Sequence, residues 1–308
     1  MGKASRTKQD PDRRARIAAQ RAAERRQAQR NRLLLAGGAI VVVVAVVLVF
    51  VFAVGGKKPT ASPTSALTGT QLTSVTNQIT SVPVSVLNKV GNGGSAVNNG
   101  SSPIITLKGG SPLTENGKPE MLFMGAEYCP YCAAERWAMI VALSRFGTFT
   151  GLQTTHSSST DVNPNTPTWT FVNTKYTSSD VAFTSVEMQG NVANSSGDYP
   201  TLQTPTSAEE ALINKWDTAP YIPSSDAGSI PFVDIDNKYM ISGASYNGQL
   251  LDGKTYQEIA TAMKDPSSSI AQGVDGTANY ITAALCKVTN NQSTSACTPV
   301  VKGLESKL

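Results

Sequence analysis

The longest apolar run in the chain, LLLAGGAIVVVVAVVLVFVFAV at positions 33–54, holds 22 residues without a charge. As a helix rising 1.5 Å per residue it reaches about 33 Å, against a bilayer hydrocarbon core of about 30 Å, so the pattern predicts one transmembrane helix. A secretory signal has an apolar region of only about 7–15 residues ending at a small-x-small cleavage site; this run is longer and lacks a clear site, and it reads as an uncleaved anchor. Later apolar runs are short. VPVSVL and IITL are separated by GNGGSAVNNGSS, and IITL suits a first strand. MLFM at 121–124 is continuous and ends at Gly125, as a strand buried on both faces does. From 130 to 146 helix formers dominate. Trp137, Ile140, Val141 and Ser144 fall on one stripe, which Met139, Leu143 and Phe146 widen, so a largely buried helix is expected to end near Gly147.

A polar stretch, 148–228, comes next, with strand-like patches at 169–172 and 181–188. A helix at 208–216 follows two overlapping capping boxes, Thr206 with Glu209 and Ser207 with Glu210. SIPFVDIDNKYMISG at 229–243 predicts a hairpin about an Asp-Asn turn, and 256–264 and 270–285 read as helices broken at Asp265-Pro266. Strand, helix, long insertion, hairpin and helix make a mixed α/β layout. The insertion, 148–228, shows no motif with evident chemistry.

Charge sharpens the organisation. Residues 1–32 hold eleven Lys/Arg against three Asp/Glu, a net +8, which leaves −4 for the rest of a chain whose total is +4. Positive flanks stay in the cytoplasm, so 1–32 is expected inside, as a retention charge or a helix on anionic lipid, and everything after 33–54 outside. The Thr, Ser, Gly and Pro content of 55–81 predicts a flexible tether, and 82–308 an extracytoplasmic domain anchored in lipid by 33–54. The acidic balance of that domain offers no basic patch for nucleic acid.

The candidate chemistry lies in EYCPYCAAERW at 127–137, where a buried strand runs into a helix. Cys129 falls near the helix N-cap and Pro130 at the first helical position, where its missing N–H costs nothing. Unpaired N–H groups and the positive helix end favour a thiolate, which in such motifs lowers a thiol pKa from about 8.5 to about 3.5–7. Cys132, one turn further in, is placed to resolve a mixed disulfide that Cys129 starts. A passive staple is a weaker reading, because so small a ring constrains the unfolded chain little. A four-cysteine zinc site needs Cys286 and Cys297, whose ten-residue gap exceeds the usual two to four; they read better as a structural disulfide pinning the C-terminal tail. No metal or other cofactor is expected. Glu127 and Glu135 flank the motif as possible proton acceptors, and the plain reading of Glu127 is a solvated strand-end acid. Arg136 either stabilises the thiolate or pairs at the surface, the surface pairing being expected. His156, in a Ser/Thr-rich loop, reads as exposed. Trp137 and Tyr128 are packing residues, with Tyr128 also placed to shield the nucleophile; Tyr131 is expected exposed and in reach of substrate.

MLFMGAEYCPYC and SIPFVDIDNKYMISG together resemble the thioredoxin superfamily, and Cys-Pro-Tyr-Cys resembles its glutaredoxin form. GKPEMLFMGAEYCPYCAAERWAMIVALSRFGTF is similar to a membrane-anchored thioredoxin-like domain of unknown function from bacteria and archaea, over about 82–285. The resemblance implies a thioredoxin-like fold with a long insertion between motif helix and hairpin, Cys129 and Cys132 as redox pair, and Pro231 as a cis proline that presents the Ile230 backbone to an extended substrate peptide. Phe123 departs from it, standing six residues before Cys129 where thioredoxins carry a buried acid, and so does the insertion. The implied function is a membrane-anchored extracytoplasmic thiol-disulfide oxidoreductase that acts on cysteine-containing exported proteins and works with a membrane redox partner. A redox-inert binding module of the cell envelope is the alternative. Glutathione-dependent chemistry is disfavoured, because no basic site for the glutathione carboxylates stands out.

Overall fold

The computed structural model describes residues 65–308; the basic tail, the apolar run at 33–54 and the start of the tether lie outside the described residues. Among the described residues no helix is long and apolar enough to cross a membrane.

The expected tether does not reach position 81. Helix α1 (Gly69–Thr80) places Leu72, Val75 and Ile79 on one stripe, and Val75 and Ile79 are buried in the main core. Polar composition suggested a tether, yet these few apolar residues suffice because a core stands behind them. VPVSVL forms the short helix α2 (Val84–Val90), which buries Leu87. Strand β1 (Ile105–Thr106) and the hairpin of β2 (Thr114–Glu115) with β3 (Lys118–Gly125) follow. Next comes α3 (Pro130–Leu143), in which every residue except Tyr131 is buried.

The chain then makes two small antiparallel pairs, β4 (Gly147–Thr150) with β7 (Lys175–Ser178), and β5 (Gln153–His156) with β6 (Pro167–Thr170). Strand β8 (Ala182–Glu187) returns to the main sheet, where it runs parallel to β3 with Gly125 opposite Glu187. The expected insertion, 148–228, thus supplies the parallel neighbour of β3 from its strand-like patch at 181–188. It also supplies α4 (Ser207–Trp216), which starts with the Thr206/Glu209 capping box. Strands β9 (Phe232–Ile235) and β10 (Tyr239–Ser242) form the expected hairpin, and α5 (Tyr256–Ala262), α6 (Ser269–Val288) and α7 (Pro299–Leu304) complete the domain.

The result is a mixed α/β fold around a six-stranded mixed sheet in which β3 lies between parallel β8 and antiparallel β9, with β10 and β1 beyond β9. Alternate residues of β3 serve two cores. Met121 and Phe123 pack with α3 and α6, whereas Leu122 and Met124 pack with Val186, Phe232, Met240 and Trp216 of α4. The sheet is therefore covered on both faces, and the C-terminal end of β3 delivers the cysteine motif to the first turn of a buried helix.

Candidate active site

Cys129 is the N-cap residue of α3. Its backbone is extended (φ −74°, ψ 120°), Pro130 takes the first helical turn, and its sulfur accepts the Cys132 N–H at 3.3 Å. A sulfur thus occupies the place that a Ser or Asp oxygen takes in ordinary caps. On its other side the Cys129 thiol donates to the Ile230 carbonyl oxygen at 3.7 Å. The Ile230–Pro231 peptide bond is cis. Pro231 in turn accepts the Gly243 N–H at 2.9 Å, which fixes the start of β9 beside the end of β10. Strand, helix N-terminus and hairpin therefore converge on one sulfur.

Both thiols are free and buried, with Cys129 4% and Cys132 0% exposed. Their environments differ. Hydrogen bonding from the Cys132 thiol, then from the Cys132 and Tyr131 N–H groups, together with the charge of Arg136, draws the Cys129 pKa below that of an ordinary thiol despite burial. Burial, then the hydrogen bond and charge of Cys129, pushes the Cys132 thiol well above it. Cys132 packs so closely on the sheet that a Cβ on Gly125 would stand 3.1 Å from its sulfur and 2.4 Å from Phe123 Cζ, so a side chain at 125 would have to displace the Phe123 ring. Phe123 sits edge-on to Phe171 at 5.5 Å, and no acid occupies its place.

Arg136 corrects the expected surface pairing. It is fully buried, its Nε and Nη2 reach Glu187 at 2.8 and 2.6 Å, Nη2 also donates to the Ala126 carbonyl at 2.9 Å, and the guanidinium lies 5.3 Å from the Phe123 ring centre. Glu187 accepts the Phe171 N–H as well, at 3.2 Å. Glu187 escapes sequence reading because its partner is set by the β3–β8 register; the only hint is a charge ending a strand-like run. Glu135 is also fully buried. It accepts the Ser245 N–H and hydroxyl at 2.9 and 3.0 Å, and burial raises its pKa to about 7 against the lowering effect of those bonds. It ties α3 to the segment after β10 and, among the described residues, makes no hydrogen bond to either cysteine. Glu127 is half-buried; its N–H donates to the Gln189 carbonyl, and its carboxylate makes no hydrogen bond to either cysteine among the described residues.

Tyr131, between the cysteines, is 48% exposed and lines a cleft of about 960 Å³ together with Ile230. Val162, Asn163 and Ile222, all from 148–228, also line it. Tyr128 is half-buried and stacks on Tyr199 with ring centres 4.3 Å apart, and Tyr199 donates to the Ser158 hydroxyl at 2.7 Å. Trp137 is a core residue whose indole N–H donates to the Pro167 carbonyl. His156 is half-buried rather than exposed, its Nδ1 2.8 Å from the Ser157 carbonyl oxygen. Cys286 and Cys297 are joined in a disulfide that links the end of α6 to the segment before α7, so their sulfurs are not free to bind metal.

Fold and site together define a mixed α/β protein with two unequal thiols at the N-terminus of a buried helix. Residues 108–287, more than half of the chain, match the family described as Domain of unknown function (DUF929), and the chain belongs to that family. No match is found among curated proteins or among solved structures.

Proposed function

We propose that the protein is a thiol-disulfide oxidoreductase of thioredoxin-like fold, held at the outer side of a membrane by 33–54 and acting on cysteine-containing exported proteins. The observation that carries this reading is the double placement of the Cys129 sulfur, capped by the Cys132 N–H and 3.7 Å from the Ile230 carbonyl oxygen. The cap favours a thiolate, and the neighbouring backbone offers a docking edge to an extended peptide. The order β3, α3, β8, α4, β9, β10, α6, with β8 parallel and β9 antiparallel to β3, supports the fold assignment. The uncharged run at 33–54 and the basic tail before it support the anchor.

In the exchange, the Cys129 thiolate attacks one sulfur of a substrate disulfide, forming a mixed disulfide and releasing the other substrate sulfur as a thiolate. Cys132 then loses its proton and attacks the Cys129 sulfur; the second substrate thiolate leaves, and the proton passes to a substrate sulfur. The substrate disulfide is reduced to a dithiol as the Cys129/Cys132 dithiol is oxidised to a disulfide. Run backwards, the same steps oxidise a substrate dithiol, and a membrane partner bearing a dithiol or disulfide resets the pair.

Incubating the reduced protein with a disulfide-bonded peptide tests this. The expected result is loss of two hydrogens from the tryptic fragment holding Cys129 and Cys132 and a mixed disulfide trapped on Cys129 in Cys132→Ser. Exchange by Cys129→Ser at the wild-type rate overturns the role of Cys129, and no exchange by the wild-type protein above the uncatalysed rate overturns the whole reading in favour of a redox-inert binding module.

A further inference from the structure

We propose that the buried Arg136–Glu187 pair is the electrostatic support of the two cysteines, with Arg136 a positioning residue for negative charge on sulfur and Glu187 the counter-ion that limits it. This rests on reading Cys129 and Cys132 as the redox couple.

The geometry brings all four groups to one end of β3. Cys129, Cys132 and Arg136 stand at i, i+3 and i+7, which puts them on one face of α3, and helical side chains lean toward the N-terminus. Arg136 does so: its Nη2 donates to the Ala126 carbonyl at 2.9 Å, and the Cys129 N–H donates to that same carbonyl at 3.3 Å. Cys132 rests against Gly125, the register partner of Glu187. Nε and Nη2 of the guanidinium are satisfied, whereas Nη1 is buried without a partner among the described residues. A buried, charged donor left unpaired is costly, and a thiolate at the neighbouring pair is an anion suited to offset it. The charge of Arg136 acts on both cysteines, lowering each thiol against the burial that raises it. The other titratable groups at this end include Tyr128, stacked on Tyr199 and under the charge of Asp161, with Tyr131 and Glu127, and none of them makes a hydrogen bond to Arg136 or Glu187 among the described residues.

The dithiol form carries thiolate charge and the disulfide form carries none, so a nearby cation favours the dithiol and makes the pair more oxidising. Glu187 opposes that effect by neutralising the cation.

The test compares Glu187→Gln, Arg136→Met/Glu187→Gln and Arg136→Lys with the full-length wild type, measuring the alkylation midpoint of Cys129 across pH and the equilibrium with glutathione. Glu187→Gln is expected to lower the Cys129 midpoint and move the equilibrium toward the dithiol about tenfold, equivalent to about 30 mV. The double variant, which leaves no buried charge unpaired, is expected to move both readouts the opposite way, while Arg136→Lys keeps the wild-type direction. The proposal is overturned if Glu187→Gln and the double variant both stay within twofold of wild type, or shift together. Should wild type fail to equilibrate with glutathione while the alkylation midpoints still move as stated, the redox reading fails and the electrostatic coupling stands.

Discussion

The Cys129 sulfur lies 3.7 Å from the carbonyl oxygen of Ile230, a residue 101 positions further along the chain. Sequence-distant backbone and a helix-capping thiol thus share one site, with Tyr131 at the edge of the adjoining cleft.

Tyr131 is exposed where every other α3 residue is buried, and on the proposed function it is placed to contact substrate. Tyr131→Ser is expected to leave exchange with a small disulfide within twofold of wild type and to lower kcat/KM for a disulfide-bonded peptide about tenfold, mostly through KM, since about 1.4 kcal/mol of contact is lost. Paired assays on the two substrates check this.

Removing one member of a buried ion pair costs more than removing both. Arg136→Met alone strands the Glu187 carboxylate and is expected to lower unfolding stability by about 3–5 kcal/mol, whereas Arg136→Met/Glu187→Gln recovers most of that loss. Urea unfolding of both variants gives the difference.

Glu135 titrates at about 7 when folded, against an ordinary value of 4.5. The folded state therefore binds the extra proton between those two values. Protonation at this site favours folding at low pH, and that contribution is lost as pH rises through 7. The full loss amounts to at most about 3.5 kcal/mol, at about 1.4 kcal/mol per pH unit between 4.5 and about 7. Asp234, raised to about 7 by burial, acts in the same direction. Melting temperatures at pH 5 and pH 8 are expected to differ less in Glu135→Gln than in wild type.

The Cys286–Cys297 bond closes a short loop, with a sequence separation of 11. Replacing both cysteines with alanine is expected to cost about 2–3 kcal/mol of stability on the chain-entropy account, and to leave exchange at Cys129 unchanged. Denaturation and a peptide-exchange assay on the same variant check both halves.

The cysteine site is legible in sequence because its signals are local: an apolar run ending at Gly125, a proline after Cys129, and helix formers beyond. The hairpin, and the Thr206/Glu209 capping box that starts α4, are legible for the same reason. What sequence hides is set by pairing across long separations. Glu187 becomes part of the site through the parallel register of β8 on β3, and the polar interior of β8 disguises it as part of an excursion. Arg136 reads as a surface residue because its partner stands 51 positions away. Helix α1 hides behind Ser/Thr-rich composition, since only packing against the distant core gives its apolar stripe a meaning.

Site-resolved alkylation of reduced wild-type protein across a pH series probes the inequality of the two thiols. Cys129 is expected to react with a midpoint clearly below the ordinary thiol value of about 8.5, while Cys132 stays unreactive until far higher pH. A midpoint for Cys129 at or above 8.5, or equal reactivity of both sulfurs, contradicts it.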